Sequence, residues 1–403
     1  VTPQLQSGPG GRERSGWSYS VRASRNESYD VVCHAHILAL DDTMLANAFR
    51  DEAPILIVST PSVDRIYGHK LRRYVAENVR RAPVSFMVLE CSEPQKGMDQ
   101  VLAVCQRAAE ARLARRSQIV CVGGGVSLDI SGLAATLFRR GIPFIGVPTT
   151  LIGMIDAAIG VKNGINFGGS KSMLGAFSPP EMCIVDPSFL VTVPRRHLQC
   201  GLAEVIKIAT MCSPELFACL EVRSDQLLDE VCGMPLELAE DLVQLSIQCT
   251  LSELELNLFE RNELFPDTYA RKLDFGHTFS PYIEVGSVHR ILHGEAVAID
   301  MAVSAELAYR LGILEEALRD RFLYLLRRVG LPIYPSGIDN RRIYASLESV
   351  VRHRNGNLNL VLPAGLGCAA FIRDLSDISA TLVSEVIQRL SQLSLREDAY
   401  FGG

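Results

Sequence analysis

Five short aliphatic runs in the first half of this chain constrain its fold more than any other feature. "APILIVST", "VSFMVLE", "QIVCVGG", "PFIGVPT" and "EMCIVD" follow one another between Tyr29 and Pro194, each about five to seven residues of strand-forming sequence. Between them, "IYGHKLRRYVAENVRR" and "MDQVLAVCQRAAEARLARR" space their apolar residues as amphipathic helices do. Strand, helix, strand in repetition predicts a parallel sheet with crossover helices, hence a doubly wound α/β domain.

After Pro194 the strand signal fades. "PRRHLQCGLAEVIKIATM", "PLELAEDLVQLSIQCTLSELELN", "HGEAVAIDMAVSAELAYRLG", "LEEALRDRFLYLLRRVG" and "ISATLVSEVIQRLSQL" all read as helices. At 403 residues the chain exceeds one core, since single cores stop growing near roughly 250–300 residues. We therefore expect a loosely ordered polar leader over 1–28, an α/β domain over 29–194 and a mainly helical domain over 195–403. The cleft between the two domains is the expected ligand site.

Composition removes several function classes. A net charge of −6 leaves no basic field for nucleic acid. No apolar stretch approaches the roughly 18–20 residues of a membrane span, and the polar N-terminus has no apolar core of a signal peptide. The eleven cysteines are scattered without a CxxC pair, so we expect a reducing, cytoplasmic setting.

Where "QIVCVGG" passes into helix, Gly123, Gly124 and Gly125 stand together, with Asp129 four residues on and Gly132 beyond. Beyond the carboxyl end of a parallel strand, such a turn lets backbone N–H groups approach a pyrophosphate. The glycines alone fit a tight turn that binds nothing equally well. Thr149 and Thr150 end the next strand, and Glu93 and Lys96 follow an earlier one. Polar clusters at three strand ends favour one nucleotide site.

In the helical half, "GLAEVIK", "DFGHTFSP" and "LHGEAVAID" each place one donor, Glu204, His277 or His293, in apolar sequence. One carboxylate and two imidazoles with a fourth position open make a catalytic zinc shell. A buried histidine is more often hydrogen-bonded core, however, and these donors lie far apart in sequence. Asp156, Lys162, Asn166 and Lys171 occupy a glycine-rich loop, and Lys207 shares a helix face with Glu204. Lysines between glycines and apolar residues suit a phosphate pocket.

Together "GGGVSLDISGLAA", "RRGIPFIGVPTTLIGMIDAAIGVKNGINF", "SKSMLGAF", "TVPRRHLQCGLAEVIK", "DFGHTFSP" and "LHGEAVAIDMA" resemble the sugar phosphate cyclases, the superfamily of dehydroquinate synthase and the C7-cyclitol synthases. The similarity runs in order from Ile55 to Leu362. It implies a Rossmann-like NAD domain, a helical metal domain and a homodimer. It also implies NAD contacts from Glu93, Lys96, Gly123–Gly125, Asp129, Thr149, Thr150 and Thr192, with Lys162 and Lys171 bordering both cofactor and substrate. Glu204, His277 and His293 become ligands of zinc or cobalt. Asp156, Lys162, Lys171, Lys207 and Asp274 become substrate-site residues, and Arg140 reaches the substrate phosphate of the neighbouring subunit.

Departures from the dehydroquinate branch sharpen the expectation. Its second histidine is Pro281 here, its asparagine before "FGH" is Asp274, and the one after the loop lysine is Ser172. A lysine and an arginine of that branch fall near Thr250 and Ala270, with Arg271 adjacent. A pocket without those cations would disfavour a carboxylated sugar. "FSPYIE", "ELELNLFE" and "RHRNGN", the last containing His353, are instead similar to the 2-epi-5-epi-valiolone synthases. Those enzymes oxidise sedoheptulose 7-phosphate transiently with NAD, eliminate phosphate, return the hydride, open the ring and close a carbocycle by aldol addition. The 2-epi-valiolone and desmethyl-4-deoxygadusol synthases are the alternatives on the same substrate. Dehydroquinate synthase, a metal-dependent polyol dehydrogenase and a non-catalytic nucleotide-binding protein stand further off.

Overall fold

The structure, a computed structural model, describes residues 21, 26–228, 234–256, 258, 271–286, 291–336, 340–353 and 357–398. Six parallel strands form its main sheet: β1 (Asp30–Cys33), β2 (Ile55–Ser59), β3 (Val84–Val88), β4 (Gln118–Gly123), β5 (Phe144–Pro148) and β8 (Met182–Val185). Their spatial order is β1-β8-β5-β4-β2-β3. The three central strands β2, β4 and β5 are buried at every position, which is why they appear in the sequence as unbroken apolar runs. From β2 the chain steps out to β3, then returns past β2 to β4. The direction of winding therefore reverses between β2 and β4, and ligands of open α/β sheets bind beyond the strand ends at such a reversal.

Helices α1 (Met44–Asn47), α2 (Pro61–Asn78), α3 (Met98–Glu110) and α4 (Gly125–Leu137) lie between the strands. After the sheet come α5 (Arg195–Cys212), α6 (Pro214–Val222), α7 (Leu236–Leu256), α8 (Ser280–Gly286), α9 (His293–Arg310), α10 (Glu316–Arg328), α11 (Asn340–His353) and α12 (Ala380–Asp398). The most buried of these are α5 and α9, which pack on each other.

Three elements differ from the sequence reading. The glycine-rich loop is a β-hairpin, β6 (Lys162–Phe167) paired antiparallel with β7 (Ser170–Phe177). Gly168 and Gly169 make its turn with φ of 59° and 78°, the left-handed pair of a type I′ hairpin. The hairpin rests on α4, where a Cβ on Gly132 would come within 2.1 Å of Asn163 Oδ1. A second hairpin, β9 (Leu360–Gly365) and β10 (Cys368–Ile372), enters the helical half against α9 and α5. The third is the edge strand β1, four residues too short to register as a pattern.

Asp186 fastens the end of β8. Its carboxylate is fully buried and accepts the backbone N–H groups of Ile37 at 3.0 Å and Ser188 at 2.9 Å. Asp186→Ala would bury both donors without an acceptor. We expect it to lower stability by about 1–3 kcal/mol, read as a lower urea midpoint; an unchanged midpoint would show that water replaces the carboxylate.

Candidate active site

The glycine turn sits at the carboxyl end of β4, and Gly124 is the N-cap of α4 with no side chain capping the helix. Gly123, Gly124 and Gly125 are not among the left-handed glycines; close approach explains the first two. A Cβ on Gly123 would lie 2.1 Å from Ser127 Oγ, and one on Gly124 would lie 3.2 Å from Thr150. Thr149 donates its N–H to the Gly123 carbonyl at 2.9 Å, tying β5 to the same turn. An uncapped helix start beside bare backbone is an anion site in waiting.

Lys96 pairs with Asp129, which lies four residues into α4, and both are nearly buried. Burial pushes Asp129 up to about 6 despite the ammonium beside it. Burial works against Lys96 in turn, but Asp129 outweighs it and the lysine pKa rises. Glu93 receives Asn166 Nδ2 at 3.0 Å and lies 3.2 Å from Lys171 Nζ. The nucleotide residues expected from sequence thus converge, with one exception. Thr192 bonds Tyr67 at 2.9 Å and the Phe189 carbonyl at 3.1 Å, and no contact joins it to the glycine turn among the described residues.

The three expected metal donors also converge. Glu204 on α5 is fully buried, and His277 Nε2 and His293 Nε2 lie 3.6 and 3.4 Å from its Oε1. The three ligand atoms fall within 4.8 Å of one another. Glu204 Oε1 has no hydrogen-bond partner among the described residues, so a buried anionic oxygen and two imidazole nitrogens face one point. A divalent ion with nitrogen and oxygen preferences fits that donor set.

Outer contacts fix each donor. His277 Nδ1 meets the Phe275 carbonyl at 3.1 Å, and His293 Nδ1 meets Glu284 Oε2 at 3.3 Å. Lys207 Nζ lies 2.6 Å from Glu204 Oε2. Burial alone would raise the pKa of Glu204, yet Lys207 and the histidines hold it well below the carboxylate range. Burial and Lys207 push His277 down to about 4. Burial also opposes charge on His293, but Glu204 and Glu284 lift it to about 9.

The substrate-site residues close the gap between the two ends. Asp156, in the π-helical turn Gly153–Ala157, acts electrostatically on Asp129, Lys162 and Lys207. Asp274 acts on Lys162 and Lys207. Lys162 is solvent-accessible at the cleft mouth, where partial burial and then Arg271 lower it to about 8. The Arg271 guanidinium acts electrostatically on Lys162, so a cation adjacent in sequence to the Ala270 position influences this site. Thr250 is buried, Ala270 lies outside the described residues, and so does the side chain of His353.

Arg140 does not join this cluster in its own chain. It is exposed, with φ of 67°, just past the far end of α4, and thirteen helical residues separate it from the glycine turn by roughly 20 Å.

Sequence reasoning missed three contributors. Glu284 on α8 contacts both His293 and Lys171. Asp300 on α9, fully buried, accepts the N–H groups of Phe279 and Ser280 and so pins the start of α8. Gly276, φ 77°, makes the turn into His277, where a Cβ would lie 2.7 Å from Met301. Asp300 and Glu284 were visible only as acids inside quoted motifs.

A nucleotide-type helix start and a buried Glu-His-His centre, linked through Lys171 by its pairs with Glu93 and Glu284, define a two-domain metal-dependent enzyme. Residues 86–200 match the N-terminal domain of 3-dehydroquinate synthase and residues 201–350 its C-terminal domain. A 2-epi-5-epi-valiolone synthase of Actinoplanes sp. is 37% identical over 94% of this chain and 95% of its own. A 3-dehydroquinate synthase of Prochlorococcus marinus is 33% identical over 88% of this chain and 94% of its own. The crystal structure of the 2-epi-5-epi-valiolone synthase from Streptomyces hygroscopicus subsp. jinggangensis, with NAD+ and Zn2+ bound, superimposes with a TM-score of 0.84. It is 36% identical and covers 93% of this chain and 99% of that one. The chain belongs to the dehydroquinate synthase-like sugar phosphate cyclases.

Two substitutions test the centre. His277→Ala should reduce bound zinc from one per chain to a small fraction, measured by elemental analysis after dialysis; full retention would remove His277 from the ligand set. Gly276→Val forces a β-branched side chain into a left-handed turn against Met301 and Val297. We expect a loss of about 1–3 kcal/mol and weakened metal retention, checked by thermal melting with and without zinc.

Proposed function

We propose that this cyclase converts sedoheptulose 7-phosphate to 2-epi-5-epi-valiolone with release of phosphate. The observation that carries the reading is near-full-length similarity to 2-epi-5-epi-valiolone synthases, above that to the dehydroquinate synthases. Pro281 at the start of α8 and the buried hydroxyl of Thr250 agree with it, because neither offers a charge to a substrate carboxylate. Arg271 acting on Lys162 means that cation count alone does not separate the substrates; two such cations serve a dianionic phosphate as well.

Gly123–Gly125 and the start of α4, with Lys96, Asp129, Thr149 and Thr150, would hold NAD+, and Glu204, His277 and His293 would hold zinc or cobalt. Bound there, the nicotinamide supplies a reversible hydride acceptor and the divalent ion a Lewis acid for substrate hydroxyls. Lys171 and Lys162 hold the phosphate at the cleft mouth. Lys207, kept protonated against Glu204, presents a fixed positive charge to oxygens that gain negative charge during elimination. With a pKa of about 8, Lys162 is the cation able to exchange a proton near neutral pH. Asp156 and Asp274 accept hydrogen bonds from ring hydroxyls. Arg140, out of reach of its own cleft, completes the phosphate site of a second subunit in a homodimer.

Incubation with sedoheptulose 7-phosphate and NMR of the product tests the reading. We expect 2-epi-5-epi-valiolone and inorganic phosphate without accumulation of NADH. Efficient 3-dehydroquinate formation from the carboxylated sugar would overturn the substrate, and NADH produced mole for mole would mark a dehydrogenase. The pH dependence follows from Lys162. It is charged below about pH 8 and neutral above, so KM for the sugar phosphate should rise as pH increases through 8. Lys162→Arg, always charged, should abolish that rise; a wild-type KM that stays flat well above pH 8 would remove Lys162 from the phosphate site.

A further inference from the structure

We propose that Glu284 is a positioning residue that orients the metal ligand His293 and, with its other oxygen, holds Lys171 over the cleft. Glu284 is buried on α8, with only 9% of its side chain exposed. One oxygen lies 3.3 Å from His293 Nδ1, and the other pairs with Lys171 Nζ. A histidine whose Nδ1–H is donated to a carboxylate offers Nε2 to a metal ion once the Nε2 proton leaves, and here that nitrogen points towards Glu204. The ring is thereby fixed in direction before an ion arrives, and in tautomer once the ion displaces the Nε2 proton.

The second contact reaches the other half of the molecule. Lys171 belongs to β7, and its ammonium lies 3.2 Å from Glu93 as well. Glu284 therefore joins α8 to the hairpin, and one carboxylate serves both the metal end and the phosphate end of the cleft. Its own placement is fixed from behind, because Asp300 on α9 holds the first turn of α8. His293 begins that same helix α9, so the carboxylate and its histidine are referenced to one rigid element.

This inference rests on the metal centre proposed above but not on the identity of the product. Its test is zinc affinity, measured by chelator competition on metal-free protein, alongside the unfolding midpoint of that metal-free protein. Glu284→Gln keeps the volume and removes the charge. We expect zinc binding weakened about 10–100-fold with an unchanged metal-free midpoint, an outcome that a purely structural role would not give. Glu284→Asp, which keeps the charge but withdraws it by one methylene, should fall between wild type and Glu284→Gln and carries the test if the glutamine variant does not fold. Lys171→Met should leave zinc affinity near wild type and raise KM for the sugar phosphate. Wild-type zinc affinity in both Glu284 variants, or an equal loss in Lys171→Met, would overturn the assignment. Wild-type protein that binds no zinc would overturn the centre itself.

Discussion

A carboxylate with no exposed surface governs the helical half of this enzyme. Isolated, the buried charge of Glu204 would cost several kcal/mol, and the structure answers it from three directions: Lys207 at one oxygen, two imidazoles at the other. Each of those partners is itself held, His277 by a backbone carbonyl and His293 by Glu284. Among the described residues neither oxygen of Glu204 has a hydrogen-bond partner, and Oε2 is answered by its ion pair with Lys207 while Oε1 faces the two imidazoles. The arrangement is stable as a protein core and incomplete as a coordination shell, which is the condition a catalytic metal site must satisfy.

Bringing these groups together demands that helices approach unusually closely. A Cβ on Gly294, next to His293, would lie 2.3 Å from the Cys200 backbone, and one on Gly201 would lie 2.5 Å from Leu151. The glycines of "CGLAEVIK" and "LHGEAVAID" are therefore contact points between α5, α9 and the end of β5, not flexible joints. Gly276 plays a different part, supplying a left-handed turn that no β-branched residue enters without strain. Glycine thus appears in all three metal motifs for reasons of packing and backbone geometry, while the chemistry belongs to the residues beside it.

Much of this was legible in the sequence, and the reasons are specific. Strands β2, β4 and β5 announce themselves because burial on both faces leaves them apolar except at the ends, where Ser59 closes β2 and Gln118 opens β4. Glu204, His277 and His293 stand out because polar donors inside apolar helical sequence are rarely accidental, although only the fold brings three distant segments to one point. The β6–β7 hairpin was read as a loop because its outer face carries exposed Phe167, Met173 and Phe177, so no clean alternation marks it. Glu284 and Asp300 escaped notice for the opposite reason. An acid within a helix reads as solvated surface, and nothing local reveals that these two face inward to a histidine and to a helix start.

The charges of the cleft nearly cancel. Lys96, Lys162, Lys171, Lys207 and Arg271 stand against Glu93, Asp129, Asp156, Glu204, Asp274 and Glu284. Among the described residues these five cations, with His293 protonated in the metal-free protein, face six carboxylates and give little net pull on a sugar phosphate, whose dianion would meet as much repulsion as attraction at close range. A divalent ion at Glu204 would shift that balance towards positive charge and relieve Lys207 of its sole pairing with that carboxylate. Under the proposed reading of Arg140, a cation contributed across a subunit boundary would add charge where the chain's own cations are already committed to carboxylates. Metal binding and assembly would then be two routes to one electrostatic end, with Glu284 at the point where the metal side and the phosphate side of the cleft meet.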